Sequence, residues 1–120
     1  MPRILVVEDD ENIRLLYSVE LKEAGYEVIT SRSGYKLIER IEEGKPDLVI
    51  LDIKAVDYKG LDILQDIRNH FHDLPVILLT AYDGFKEDMK SIADFYVVKS
   101  FDLTELKKKI AMALEIKLPG

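Results

Sequence analysis

The chain has no cysteine, which excludes disulfides and thiolate metal sites and fits a reducing compartment. No apolar run approaches the ~20 residues that a membrane-spanning helix needs, so no membrane association is expected. Met1-Pro2-Arg3 leads straight into an apolar stretch, leaving no room for a signal peptide, and a cytoplasmic location is the expectation. Basic clusters are scarce. The one dense run, Lys107-Lys108-Lys109, shares its segment with Glu105 and Glu115, and the net charge is −6, so direct contact with nucleic acid is not expected. Repeats, linkers and low-complexity stretches are missing as well, and residues 1–120 are expected to form one domain. The closing Leu118-Pro119-Gly120 reads as a plain terminus or the stub of a linker. What is present, 48% hydrophobic and 33% charged residues, is the composition of an ordinary globular protein.

Within that composition, strand-like and helix-like segments alternate from end to end. The near-continuous apolar runs at 4–7, 48–51 and 76–79 predict central strands covered on both faces. Tyr26-Glu27-Val28-Ile29-Thr30 alternates more and predicts a strand nearer the edge, while Tyr96-Val97-Val98 supplies the fifth. Helices are expected at about 11–24, 34–43, 60–71, 84–92 and 103–116. Gly25 and Gly44 sit where helix C-caps want a residue at positive φ. Ser33 is read as the N-cap of the second helix, and Asp102 as the N-cap of a box with Glu105 that opens the last. Pro75, just ahead of the fourth strand, does little harm there. Strict alternation predicts an α/β, flavodoxin-like, doubly wound five-stranded parallel sheet in the order 2-1-3-4-5, with helices on both faces and a switch point between strands 1 and 3.

Four of the apolar runs stop on chemistry. Val7 is followed by Glu8-Asp9, Leu51 by Asp52, Leu79 by Thr80 and Val98 by Lys99. In a parallel sheet the C-terminal strand ends share one edge, so these residues are expected in one crevice. Acids after strands often serve only as turn-formers and caps, a role that fits Asp10 and Asn12. Three converging acids without a counter-ion, however, raise one another's pKa at a cost in stability. A hard cation with oxygen ligands, such as Mg²⁺, removes that cost. Asp52 is then a ligand, or a nucleophile accepting a phosphoryl group as an acyl phosphate. Thr80 and Lys99 fit as hydroxyl donor and cationic partner to phosphate oxygens, rather than as a self-satisfied strand end and a snorkelling lysine.

The motifs Leu5-Val6-Val7-Glu8-Asp9-Asp10, Asp47-Leu48-Val49-Ile50-Leu51-Asp52, Gly60, Leu79-Thr80-Ala81 and Ala93-Asp94-Phe95-Tyr96-Val97-Val98-Lys99, in this order, resemble the receiver domain of two-component response regulators over essentially the whole chain. The resemblance, nearest to single-domain chemotaxis-type receivers, implies that Asp52 is the phosphoacceptor. It implies that Glu8, Asp9 and Asp52 hold Mg²⁺ together with the backbone carbonyl of Lys54. Thr80 and Lys99 would grip the phosphoryl oxygens, and Tyr96 would reorient when Thr80 moves. The implied donor is a histidine kinase, a phosphotransfer protein or a small phosphodonor, with no turnover beyond self-phosphorylation and autodephosphorylation. Read as a whole protein the chain carries no output domain, so phosphate is expected to act by changing protein contacts. A monomer is expected, with a dimer left open.

Several residues depart from the family's pattern. Ala55-Val56 stand where receivers carry Met-Pro, so the loop loses proline's rigidity while Gly60 keeps its distance. Ser100 follows Lys99 where proline often follows with a cis bond. A cis bond costs ~2.5–4 kcal/mol before a non-proline residue, so trans is expected. The span from Thr80 to Lys99 is shorter than usual by nearly one helical turn, which predicts a short or shifted helix at about 84–92. Lys54 and Tyr82 would flank the path of the hydrolytic water, and neither is a carboxylate or amide that orients it. A long-lived acyl phosphate is therefore expected. Ile13, Leu16, Tyr17, Leu21 and Ala24 form a core stripe on the first helix. Leu15 and Val19, off that stripe, are expected to pack against the last helix, the alternative being a docking face for a kinase. His70 and His72 have no ligand pattern and are read as exposed helix-end residues. Two rival functions remain. One is a receiver-like interaction module working without phosphate. The other, an aspartyl phosphohydrolase, wants an acid two residues after its nucleophile, where Lys54 stands.

Overall fold

The computed structural model describes residues 1–54, 60–81 and 93–117. The expected helix at about 84–92, Ala55-Val56, Tyr82 and Leu118-Pro119-Gly120 lie outside the described residues. Five strands, β1 (Arg3–Val7), β2 (Glu27–Ser31), β3 (Leu48–Asp52), β4 (Val76–Thr80) and β5 (Phe95–Val98), alternate with the helices α1 (Glu11–Glu23), α2 (Leu37–Gly44), α3 (Gly60–His70) and α4 (Thr104–Lys117). The strands pair in parallel in the expected order, β2-β1-β3-β4-β5.

The period of two along each strand decides what each helix covers. Ile4, Val6, Leu48, Ile50, Ile77, Leu79 and Val97 point to one face, where Tyr17 and Leu21 of α1 and Leu106, Ile110, Ala113 and Leu114 of α4 close over them. Leu5, Val7, Val49, Leu51, Val76 and Leu78 point to the other, under Leu37 and Ile41 of α2 and Leu64 and Ile67 of α3. This double burial is why the central strands read as unbroken apolar runs. Burying each large aliphatic side chain contributes roughly 1.5–3 kcal/mol, which holds the sheet edge rigid beneath the polar strand ends. β2, the edge strand, keeps Val28 and Ile29 only half-buried.

Helix ends follow the expected chemistry in part. Asp10 caps α1, its Oδ1 accepting the backbone N–H groups of Asn12 (2.9 Å) and Ile13 (3.0 Å). The helix closes in a Schellman arrangement: Gly25, at φ 100°, donates to Lys22 O and Tyr26 donates to Leu21 O. Ala24, expected in the core stripe, is instead the exposed C-cap.

Three other expectations are corrected. α2 begins at Leu37, because Ser33 organises the preceding turn instead of capping the helix: its Oγ accepts the Tyr35 N–H at 3.2 Å and its carbonyl accepts the Ser31 hydroxyl at 2.8 Å. The left-handed residue after α2 is Lys45 (φ 49°), not Gly44. Gly44 still belongs to the helix, and a Cβ there would come within 2.5 Å of the Ile29 terminal methyl. Asp102 stands one position ahead of the cap, since Leu103 O accepts the first helical N–H, from Lys107. Asp102 Oδ1 nevertheless holds the Thr104 N–H (3.0 Å) and hydroxyl (2.6 Å), and these bonds lower its pKa.

Leu15 and Val19 do not pack against α4; they are 63% and 44% exposed. His70 and His72 are exposed, as expected. All peptide bonds of the described residues are trans, Lys99–Ser100 included.

The two glycines separate by mechanism. Gly25→Ala meets no obstruction but must hold a left-handed backbone, and its expected cost is ~1–2 kcal/mol. Gly44→Ala gains up to ~1 kcal/mol of helix propensity and needs the end of the Ile29 side chain to swing aside, so its net loss is smaller. Urea unfolding of both variants checks this, and an equal or larger loss for Gly44→Ala contradicts it.

Candidate functional site

The strand ends meet as the alternation requires. Val7 pairs with Leu51, so the next residues along, Glu8 and Asp52, fall side by side. Asp52 is the last residue of β3 and Thr80 the last of β4, with Asp52 opposite Leu79 and Thr80 opposite Val98. The ladder continues one step past β5, because the Lys99 N–H donates to Thr80 O at 2.7 Å. That bond fixes where the Lys99 side chain starts. Its Nζ lies 2.8 Å from Asp52 Oδ2. It also lies 3.2 Å from each Glu8 oxygen, with hydrogen-bond geometry to Oε1 alone.

Glu8 and Asp52 are 0% and 1% exposed, and Thr80 is buried. Glu8 Oε1 also accepts the Asp10 N–H at 3.2 Å, while Oε2 is sealed from solvent and accepts no hydrogen bond among the described residues. Asp52 Oδ1 accepts the Lys54 N–H at 3.1 Å. Asp9, on the exposed loop, completes the group: Glu8, Asp9 and Asp52 each offer a carboxylate oxygen within 4.8 Å of the others. Lys54 is thus beside Asp52 through its N–H. Tyr96, opposite Leu78 on β5, lies half-buried against the α2/α3 core.

The charges do not balance. Burial first, then the hydrogen bond and like charge of Asp52, push Glu8 up to about 7, against the opposing Asp10 N–H and Lys99. For Lys99 burial acts downward, but Asp52 and Glu8 outweigh it and raise its pKa. A sealed, donorless carboxylate oxygen among converging acids suits a hard divalent cation with oxygen ligands, and Mg²⁺ is the ion such a set fits.

Two neighbours escaped the sequence reading. Arg14, one turn into α1, donates from Nη1 to Glu8 O at 2.9 Å and fixes the loop that carries the acids. Tyr17, read as core, is core by its ring. Burial pushes its hydroxyl up to about 12; Lys99 acts downward and Glu8 and Asp52 upward, so the phenol sits within reach of all three charges. The amphipathic stripe signals burial but carries no sign of which buried residue lies under the strand ends. Tyr17 also lines a cleft of about 230 Å³ with Ile13, Leu16, Lys99, Ser100 and Phe101, which is 86% exposed.

A pH dependence follows. Glu8 holds its proton more tightly folded than unfolded, so its contribution is complete below its ordinary 4.5 and is lost as pH rises through about 7. Lys99, raised, keeps its contribution throughout that window and loses it only above the ordinary lysine range. Metal-free protein should therefore lose up to ~3 kcal/mol between roughly pH 4.5 and 7. The rise in Tm on adding Mg²⁺ should grow over the same range, because the ligand must be deprotonated. Glu8→Gln should flatten both profiles; a native profile already flat contradicts the assignment.

Comparison with known proteins agrees with this geometry. Residues 4–111 match the response regulator receiver domain model. The chain is 32% identical to the regulatory protein AtoC of Escherichia coli (strain K12) over 118 residues, 96% of this chain and 26% of AtoC. It spans about a quarter to a half of the curated relatives it matches. Among solved structures it is similar to the response regulator TrrA of Thermotoga maritima in complex with Mg²⁺-BeF, at 46% identity and TM-score 0.86, covering 95% of this chain and 100% of that one. It is likewise similar to TrrA in complex with the histidine kinase ThkA, at 47% identity and TM-score 0.83, covering 95% and 99%. With its sheet order, acid cluster and strand-end lysine, the chain belongs to the response regulator receiver domain family of two-component signalling.

Proposed function

We propose that the chain accepts a phosphoryl group on Asp52 from a histidine kinase or phosphotransfer protein and signals through altered protein contacts. The observation that carries this reading is the Lys99 ammonium held 2.8 Å from a buried Asp52 inside the three-acid cluster. Glu8, Asp9 and Asp52, with the Lys54 carbonyl, would hold Mg²⁺, which when bound neutralises charge on an incoming phosphoryl group. An Asp52 carboxylate oxygen forms the new O–P bond. The P–N bond of the donor phosphohistidine breaks, and its electron pair returns to the imidazole. Lys99 exchanges its hydrogen bond with Asp52 for one to a phosphoryl oxygen, and its charge stays compensated throughout. The Thr80 hydroxyl donates to a second phosphoryl oxygen. Tyr96 stands two residues before Thr80's partner Val98, on the same side of the sheet as Thr80, so movement of Thr80 alters its packing. Phosphate thereby shifts a two-state equilibrium that partners read.

The solved complex of TrrA with ThkA supports a kinase as partner. Leu15 and Val19 are exposed on α1, and exposed Phe101 lines a cleft with Ile13, Leu16 and Lys99, apolar groups that a docking helix could cover.

Incubation with acetyl phosphate and Mg²⁺, followed by intact-mass measurement, should add one phosphoryl group to the native chain and none to Asp52→Asn or to protein in EDTA. Leu15→Asp should retain this modification while slowing transfer from the cognate kinase at least about tenfold, equivalent to ~1.4 kcal/mol of lost docking. No modification by either donor would favour the receiver-like module that works without phosphate.

Lys54, next to the acceptor through its N–H, brings no group that orients water. The acyl phosphate should therefore hydrolyse more slowly in the native chain than in Lys54→Asn. Phosphate release timed after gel filtration checks this, and faster native release contradicts it.

A further inference from the structure

A second cleft, of about 570 Å³, adjoins the acid pocket where α1, the end of β2 and the turn into α2 meet. Its walls are Arg14, Arg32 and Arg40, the hydroxyl residues Thr30, Ser31 and Ser33, and Asp9 at the border with the acids. Among the described residues every one that lines it is polar or charged. The volume is that of a small-molecule site, but the walls suit only a ligand rich in oxygen and negative charge.

The arginines mark the cleft out. The chain has five, at 3, 14, 32, 40 and 68. Arg3 is paired with Glu27 and Arg68 with Asp94. The three in the cleft form no ion pair among the described residues. The chain has 23 acids, yet among the described residues Asp9 is the one acid that lines the cleft.

The cleft is also partly preset. Arg40 Nη1 donates to the buried Ser31 hydroxyl at 3.1 Å, and that hydroxyl donates to Ser33 O at 2.8 Å. Arg14 is anchored on Glu8 O. Each anchored guanidinium spends one of its five N–H donors, leaving most of its planar fork for an oxyanion.

We propose that this cleft is an oxyanion site, separate from the phosphoryl site, that takes a small phosphate-class anion on Arg14, Arg32 and Arg40. Binding there needs no chemistry at Asp52, so the inference stands apart from the proposed phosphorylation.

The test uses metal-free protein at fixed ionic strength, titrated separately with inorganic phosphate and with pyrophosphate while amide NMR shifts are followed. The expected result, with either anion, is saturable change at Thr30, Arg32 and Ser33. Binding should weaken at least about tenfold in Arg32→Gln and in Arg40→Gln and stay unchanged in Asp52→Asn. Arg32 makes no bond within the described structure, so its variant tests the site without disturbing the fold. Shifts that do not saturate, that persist in both arginine variants, or that centre on Thr80 and Lys99 would overturn the proposal.

Discussion

One ammonium between two buried carboxylates governs this end of the molecule. Lys99 reaches Asp52 at 2.8 Å and Glu8 at 3.2 Å, all three removed from most solvent. Leaving a buried charge without its partner costs ~3–5 kcal/mol, so the position of Lys99 constrains everything around it. That position is set by backbone, since the Lys99 N–H extends the β4–β5 ladder to Thr80 O. The balance is still incomplete. Burial first, then the hydrogen bond and like charge of Asp52, push the Glu8 pKa up to about 7 despite Lys99. A site so arranged gains stability from added positive charge that oxygen ligands accept.

The two-residue period of the strands divides the work. Glu8, Asp52 and Lys99 continue the alternation of Val6, Ile50 and Val97, which belong to the face under α1 and α4. Thr80 and Tyr96 continue the alternation of Leu78, on the face under α2 and α3. Acids and lysine thus share one side of the sheet, while hydroxyl and aromatic share the other. The two sides meet at Thr80, whose carbonyl receives Lys99 and whose side chain belongs with Tyr96. Tight packing beneath both faces means that a shift at this strand end is passed on rather than absorbed.

The sheet order and the acid cluster were legible because both rest on short patterns: unbroken apolar runs, and one polar residue at each strand end. What was not legible depends on packing between distant segments. Gly44 looked like a left-handed cap, but its lack of a side chain answers to Ile29 on β2, and Lys45 takes the turn. Ser33 looked like an N-cap, yet the Ser31 hydroxyl and the Tyr35 N–H hold it in a turn before the helix. Leu15 and Val19 were expected against the last helix, but α1 presents to α4 the stripe that carries Tyr17 and Leu21. Arg14, Arg32 and Arg40 carry no local signal at all. They converge only because β2 lies next to β1 and brings its following turn alongside the start of α1.

α1 is the element on which these features converge. Its cap, Asp10, follows directly on Glu8 and Asp9, and its Arg14 holds the carbonyl of Glu8. Its inner face places Tyr17 under the same charges, protonated and neutral with its pKa at about 12, so it adds no further negative charge to an already acidic pocket. Its outer face exposes Leu15 and Val19. A partner seated on that outer face would press on the helix that positions the Glu8 carbonyl. Docking and chemistry are then coupled through one rigid body, with no chain of side chains needed between them. The same helix forms one wall of the arginine cleft, so an anion bound there would act on Arg14 and, through it, on the loop that holds Glu8 and Asp9.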